Sequence, residues 1–318
     1  MLTLAKKIRK RYYEAMPNVK VSTATVNLPT KRAMIEGVAG HEDFLGKTGY
    51  DGFEVQPMRS RFCAELLLGT KATRLVTSWH QSFPGVNMRD LAKGAVGLGD
   101  EKPNAQRIKI VAGMPDRLRS MKYLRAMQAK IKQKLPAVLY PSLGTLRSYG
   151  YDHRDYQGVF AERLWQPHAE VLHYWGVLPG TTTTVIRGML RAMQAAGLDN
   201  LCVDTSHWNA RWQGLTLPPW QAALPHLATK GHVREVHFGP ARTDLGNDVS
   251  QLKLILDGKI AQTESGKMLR TIAENTPGAE LYVVTELTHA AITAAGYTDY
   301  QTVHREVCAA VRETVENP

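Results

Sequence analysis

Leu201–Cys202–Val203–Asp204–Thr205–Ser206–His207–Trp208 reads as a short apolar strand that ends in a carboxylate and passes straight into turn or helix chemistry. Two later stretches follow the same plan. Val233–Arg234–Glu235–Val236–His237–Phe238 ends its run at an imidazole, and Leu281–Tyr282–Val283–Val284–Thr285–Glu286–Leu287 ends at a carboxylate. Each run is rich in β-branched and aromatic residues, the types that fit a pleated, buried surface. Metal-type side chains at the carboxyl ends of successive parallel strands are how a closed (β/α) barrel builds a site.

Working outward, eight strand candidates emerge, near residues 20–27, 52–57, 74–80, 136–141, 170–176, 200–205, 233–238 and 281–286. Most are followed by a helix-like segment. Alternating strands and helices imply a parallel sheet with right-handed crossovers. Eight such units in one chain of 318 residues suit a closed (β/α)8 TIM barrel, so the expectation is an α/β barrel domain over 1–318 with a helical extension at 1–19. The spacing predicts a helix over 116–135. It predicts another over 185–196, capped by Thr181–Thr184 and ended at Gly197. A third starts at Asp248 or Ser250 and stops at Gly258, and a terminal helix starts at Asp299. Two long connections, 81–107 and 142–165, are expected as lids over the carboxyl face.

Composition narrows the classes. Hydrophobic residues make up 43% of the chain, enough for a full core, and no run of about 18 apolar residues predicts a membrane span. The basic start, Lys6 to Arg11, lacks an apolar region behind it, which argues against a secretory signal and for a cytoplasmic protein. Cys63, Cys202 and Cys308 form no CxxC pair and no even framework, which points to a reducing compartment without a thiolate-type structural zinc. Cys202 reads as a small apolar core residue. The net charge of +11 suits anionic metabolites or nucleic acid, but it is spread along the chain and dense only at 6–11 and 117–134. There is no GxxxxGK[ST], HExxH or GxSxG motif.

Side chains alternate faces along a strand. Leu201 and Val203 oppose Cys202 and Asp204; Val236 and Phe238 oppose Glu235 and His237; Tyr282, Val284 and Glu286 share a face. Phe53 and Val55 oppose Glu54 and Gln56, and Trp79 opposes Ser78 and His80. One assignment satisfies all of these: the apolar set faces the helices and the polar set faces the barrel interior. Glu54, His80, Asp204, His237 and Glu286 then point toward one cavity. Buried carboxylates are costly without counter-charge, and a divalent cation is the simplest one. Plain ion pairing is the competing reading, through an internal Arg or Lys for Glu54 and Glu235.

These residues resemble the xylose-isomerase-like TIM barrels, which include sugar-phosphate isomerases and epimerases and the metal-dependent apurinic endonucleases. The resemblance spans most of the chain. Its most specific piece is Asp204–Thr205–Ser206–His207–Trp208, similar to the family's Asp-x-x-His at the sixth strand. His237 matches the histidine of the seventh strand, Glu286 the glutamate ending the eighth, Glu54 a glutamate of the second and His80 a histidine of the third. The resemblance implies Asp204, His237 and Glu286 as ligands of Mn, Co, Zn or Mg. Glu54, His80, His173, His207 and water compete for the remaining place, His173 being the ligand type within the fifth run. It implies Glu286, Glu54 and His207 as catalytic, and His80, Arg147, Trp208 and Arg242 as contacts to a small sugar-like substrate. The chain departs from the family at two strands. The fifth run, Val171–Leu172–His173–Tyr174–Trp175, ends without a carboxylate, and the fourth ends in Tyr140 rather than histidine. The expected activity is a divalent-metal-dependent isomerase or epimerase acting on a small sugar, polyol or keto-sugar, possible as a homo-oligomer. The alternatives are an apurinic-endonuclease-like DNA phosphodiesterase and a non-catalytic barrel with a degenerate metal site.

Overall fold

The computed structural model describes residues 18–25, 30–55, 72–81, 114–139, 157–174, 176–210, 214–243, 246–247, 249–276, 278 and 280–318. Its strands are β1 (Asn18–Ala24), β2 (Gly52–Val55), β3 (Val76–His80), β4 (Ala137–Leu139), β5 (Arg163–Trp165), β6 (Asn200–Asp204), β7 (Val233–Phe238), β8 (Arg242–Thr243), β9 (Gly246–Asn247) and β10 (Glu280–Thr285). Eight of them close into a barrel in the order β1-β10-β7-β6-β5-β4-β3-β2, and the pairing is parallel throughout. β8 and β9 form a small antiparallel hairpin behind β7. This is the expected (β/α)8 architecture. No helix among the described residues is long and apolar enough to cross a membrane.

The expected face parity is the one observed. Phe53, Val55, Trp79, Leu139, Trp165, Val203, Val236, Phe238 and Val283 join the main apolar core with the surrounding helices. Val138, Leu164 and Cys202 form a separate apolar cluster. Their partners along each strand have the opposite parity, so this cluster lines the barrel interior. The outer layer is pinned by specific bonds. Trp79 Nε1 donates to Gln128 Oε1 at 2.8 Å, on the helix Met114–Gln128. Thr181 caps the helix Thr182–Ala195, Asp299 caps Tyr300–Glu316, and Gly197 and Gly258 take positive φ just past their helices.

The largest correction concerns the fifth strand. The stretch 170–176 is not a strand: Ala169–Tyr174 is a helix, and β5 lies earlier, at Arg163–Trp165. Tertiary bonds rather than propensity hold so short a strand. Ala137 N donates to Glu162 O at 2.9 Å, Asp199 N donates to Arg163 O at 2.8 Å, and the Arg163 guanidinium grips Asp199 through two bonds. Residues 163–165 therefore leave the expected 142–165 loop. The helix expected over 116–135 ends at Gln128. The expected extension at 1–19 stops short, because Asn18 and Val19 already belong to β1; residues 1–17 lie outside the described residues. Most of the two expected lids, including Arg147, also lies outside them.

Candidate metal centre

His237 is the hub of the mouth, and its side chain is wholly buried. Its Nε2 lies 3.0 Å from Glu54 Oε2 and 3.0 Å from Glu235 Oε1, while Nδ1 lies 3.5 Å from Glu286 Oε1. The sequence sets this up. Glu235 and His237 are two apart on β7 and share a face. Glu54 arrives from β2. Glu286 follows β10, held there by its backbone N–H, which donates to Phe238 O at 2.8 Å. Thr205 ties the ends of β6 and β7: its hydroxyl lies 3.2 Å from His237 O and 3.1 Å from Gly239 O, and it accepts from Gly239 N.

Three carboxylates thus share one imidazole. Among the described residues, the ion pairs of Glu54, Glu235 and Asp204 are all with histidines, never with Lys or Arg. Burial favours a neutral Glu54, but the charges of His237 and His80 and the bond from His237 outweigh it and hold the carboxyl at about 2. Glu235 goes the other way: burial, with the nearby charge of Glu54, pushes it up to about 8 against the bond from His237. At neutral pH the two carboxyls therefore divide into an ionised Glu54 and a protonated Glu235, as paired carboxyls do. Burial also opposes charge on His237, but contact with Cys202 and the carboxylates of Glu54 and Glu286 keep its pKa well above the ordinary value. Burial pushes the Cys202 thiol upward as well, so Cys202 is neutral.

Asp204 stands beside this hub with its oxygens already engaged. Oδ1 accepts from Ser206 N at 2.8 Å, Ser206 Oγ at 2.6 Å and His207 N at 3.1 Å, which makes Asp204 the cap of the short helix Thr205–Trp208. Oδ2 accepts from Gln166 Nε2 at 2.5 Å and faces His207 Nε2 at 3.7 Å. Burial works against its charge, but His207, His237 and the Ser206 bond hold the carboxyl at about 2.

Gln166 is the residue that sequence reasoning missed. It follows β5 directly, so an amide rather than a carboxylate stands at the end of that strand. The signal was present in Arg163–Leu164–Trp165–Gln166, but a three-residue strand starting on a charge is hard to see. His80 completes the rim: Nδ1 contacts Gln81 O at 2.7 Å and Nε2 contacts Gln166 Oε1 at 3.3 Å. Burial lowers its pKa against the pull of Glu54.

The other expected site residues fall as follows. His207 lies at the mouth, its side chain 24% exposed, edge-on to His168. His173 sits exposed on the helix Ala169–Tyr174, not at a strand end, so it does not join the hub. Trp208 is a core residue rather than a substrate contact, since it is buried and its Nε1 donates to Pro218 O at 2.9 Å. Arg242 opens the β8–β9 hairpin, and its side chain lies outside what is described.

Two groups of metal-type donors occur among the described residues, each with atoms within 4.8 Å of one another: Glu54, His237 and Glu286, and Cys202, Glu235 and His237. Asp204 joins neither. His237 Nδ1 and Glu235 Oε2 are buried without a hydrogen-bond partner. Mixed oxygen and nitrogen donors with unmet buried atoms fit a divalent first-row cation.

No protein-family model matches the chain, and no curated protein matches it. Among solved structures, the chain is similar to a crystal structure of the IOLI protein with a binding zinc atom. The two are 10% identical, the match covers 94% of this chain and 98% of that one, and the TM-score is 0.46. The barrel and its mouth stand on strand order and distances rather than on that likeness.

Proposed function

We propose that the barrel mouth binds a divalent cation through Glu54, His237 and Glu286 and acts as an isomerase or epimerase on a small sugar, polyol or keto-sugar. The observation that supports this reading is the meeting of three carboxylates on one buried imidazole, with Glu54 and Glu235 having only this histidine among their ion-pair partners in the described residues. Bound there, the cation supplies Lewis-acid polarisation of a hydroxy-carbonyl group.

The chain's own residues divide the remaining work. Glu286 is 31% exposed, whereas Glu54 is 2% exposed, so Glu286 is the carboxylate that meets substrate and moves a proton at its carbon. Glu54, held ionised, fixes the His237 ring and supplies negative charge to the cation. Glu235, protonated, braces the same ring from below. Gln166 locks Asp204, and Asp204 aims His207 at the entrance, where its imidazole donates to substrate hydroxyls. His80 buttresses Gln166 from the far side.

The test is solvent-proton exchange. The Mn-loaded protein is incubated with a panel of aldoses and ketoses in deuterated water and followed by NMR. The proposal expects deuterium at the carbon next to the carbonyl of at least one sugar, and its loss in Glu286→Gln. Exchange that persists in Glu286→Gln, or cleavage of an abasic-site DNA duplex in place of exchange, overturns the reading.

A further inference from the structure

In the second donor group, Cys202 has no part in the proposed reaction. Cys202 and Glu235 are Cα partners across the β6–β7 pair, both pointing into the barrel one layer beneath Asp204 and His237. Cys202 Sγ, a Glu235 oxygen and a His237 nitrogen lie within 4.8 Å of one another, and all three side chains are wholly buried. Cys202 packs with Val138 and Leu164, apolar neighbours that suit it as the core residue its sequence context suggests. One polar atom makes that reading incomplete. Glu235 Oε2 is buried with no hydrogen-bond partner, in a layer where a packing cysteine needs none.

We propose that Cys202, Glu235 and His237 form a deep binding position for a thiophilic divalent cation such as zinc, cobalt or cadmium, reached from the mouth through His237. The proposal rests on the reading of His237 as a metal ligand. Sulfur, nitrogen and oxygen donors are the set that zinc-like ions take in preference to magnesium or manganese. Tetrahedral ligands with bonds of about 2.0–2.3 Å stand roughly 3.3–3.8 Å apart, a spacing inside the 4.8 Å that bounds these three donors. As the ion binds, the Cys202 S–H, the Glu235 carboxyl O–H and the second N–H of the His237 imidazolium are broken and these protons leave to solvent; no oxidant or reductant is required. Because both donor groups use His237, one cation is held at a time. Hard ions stay at the mouth with Glu54 and Glu286, and thiophilic ions settle below.

Cobalt(II) is the probe, added to the full chain after chelator treatment. The wild type should show a near-ultraviolet thiolate-to-cobalt charge-transfer band that saturates at one equivalent. Cys202→Ser and Cys202→Ala should lose the band, and Glu286→Gln should keep it. Manganese(II) binding, read by electron paramagnetic resonance, should be unchanged in Cys202→Ser. Cadmium-113 NMR of the wild type gives a readout that depends on no variant: the shift should indicate one sulfur ligand. A wild type that binds cobalt without the band, or a band that survives in Cys202→Ser, overturns the deep position while the mouth site stands. Failure to bind either cobalt or manganese overturns both.

Discussion

Replacing Gln166 tests the part of the site where the chain departs most from its resemblance. Gln166 Nε2 donates to Asp204 Oδ2 at 2.5 Å in a fully buried setting. A hydrogen bond to a charged group contributes about 1.5–3 kcal/mol. Gln166→Met keeps the length and removes the donor, so it should cost about that much. Gln166→Glu removes the donor and sets a second carboxylate against an ionised one. Breaking a buried charged partnership costs about 3–5 kcal/mol, so this variant should lose more. At roughly 2–4 °C per kcal/mol for a domain of this order of size, the melting temperature should drop by about 6–20 °C in Gln166→Glu and about 3–12 °C in Gln166→Met. The assay is thermal unfolding by circular dichroism at pH 7 in chelator. Zinc or manganese should then restore part of the loss in Gln166→Glu alone, where the new carboxylate has a cation to face. Equal melting temperatures for wild type and Gln166→Glu in chelator would refute the reasoning, since the amide would then not be holding Asp204.

Further outcomes follow from the same coordinates. Glu235 has a folded pKa of about 8, above its value in the unfolded chain, so its contribution is fully present at low pH and is lost as pH rises toward 8. Glu54, held at about 2, contributes the opposite way: its part is present above the ordinary carboxylate range and is lost as pH falls toward 2. Urea unfolding in chelator should therefore show a wild-type advantage over Glu235→Gln that shrinks between roughly pH 5 and 8. Away from the mouth, a Cβ on Gly266 would sit 2.0 Å from Ile260 O, a backbone atom with little room to move. Gly266→Ala should destabilise by at least about 2 kcal/mol, as overpacking does, even though alanine favours helices. A variant as stable as wild type in urea would contradict that contact.

Most of the barrel was legible because β6, β7 and β10 are short runs of strand-favouring residues that end at or next to a ligand-type side chain. Parity alone put Glu54, His80, Asp204, His237 and Glu286 on the inner face. β5 was illegible because its three residues rely on bonds from β4, β6 and Asp199 rather than on propensity, whereas Val171–Leu172–His173–Tyr174 has strand-like composition in a helix. That error hid Gln166 and promoted His173. Trp208 looked like a substrate contact because nothing in its neighbours announces that Pro218 takes its indole N–H. Glu54 was expected at the same cavity and groups with His237 and Glu286, whereas Asp204 lies beside that group. Asp204 spends its oxygens on capping Ser206 and His207, a local use that Asp-x-x-His spacing does not distinguish from metal ligation.

The most direct test of the account is isothermal titration of manganese(II) or zinc(II) into the chelator-treated chain, with His237→Gln alongside. His237 touches Glu54, Glu235 and Glu286, so every cation position described depends on it. The account predicts one equivalent of tightly bound ion in the wild type and at least about a hundredfold weaker binding in His237→Gln, about 2.8 kcal/mol. A wild type that binds no stoichiometric cation, or a His237→Gln variant that binds as well as the wild type while remaining folded, would contradict it.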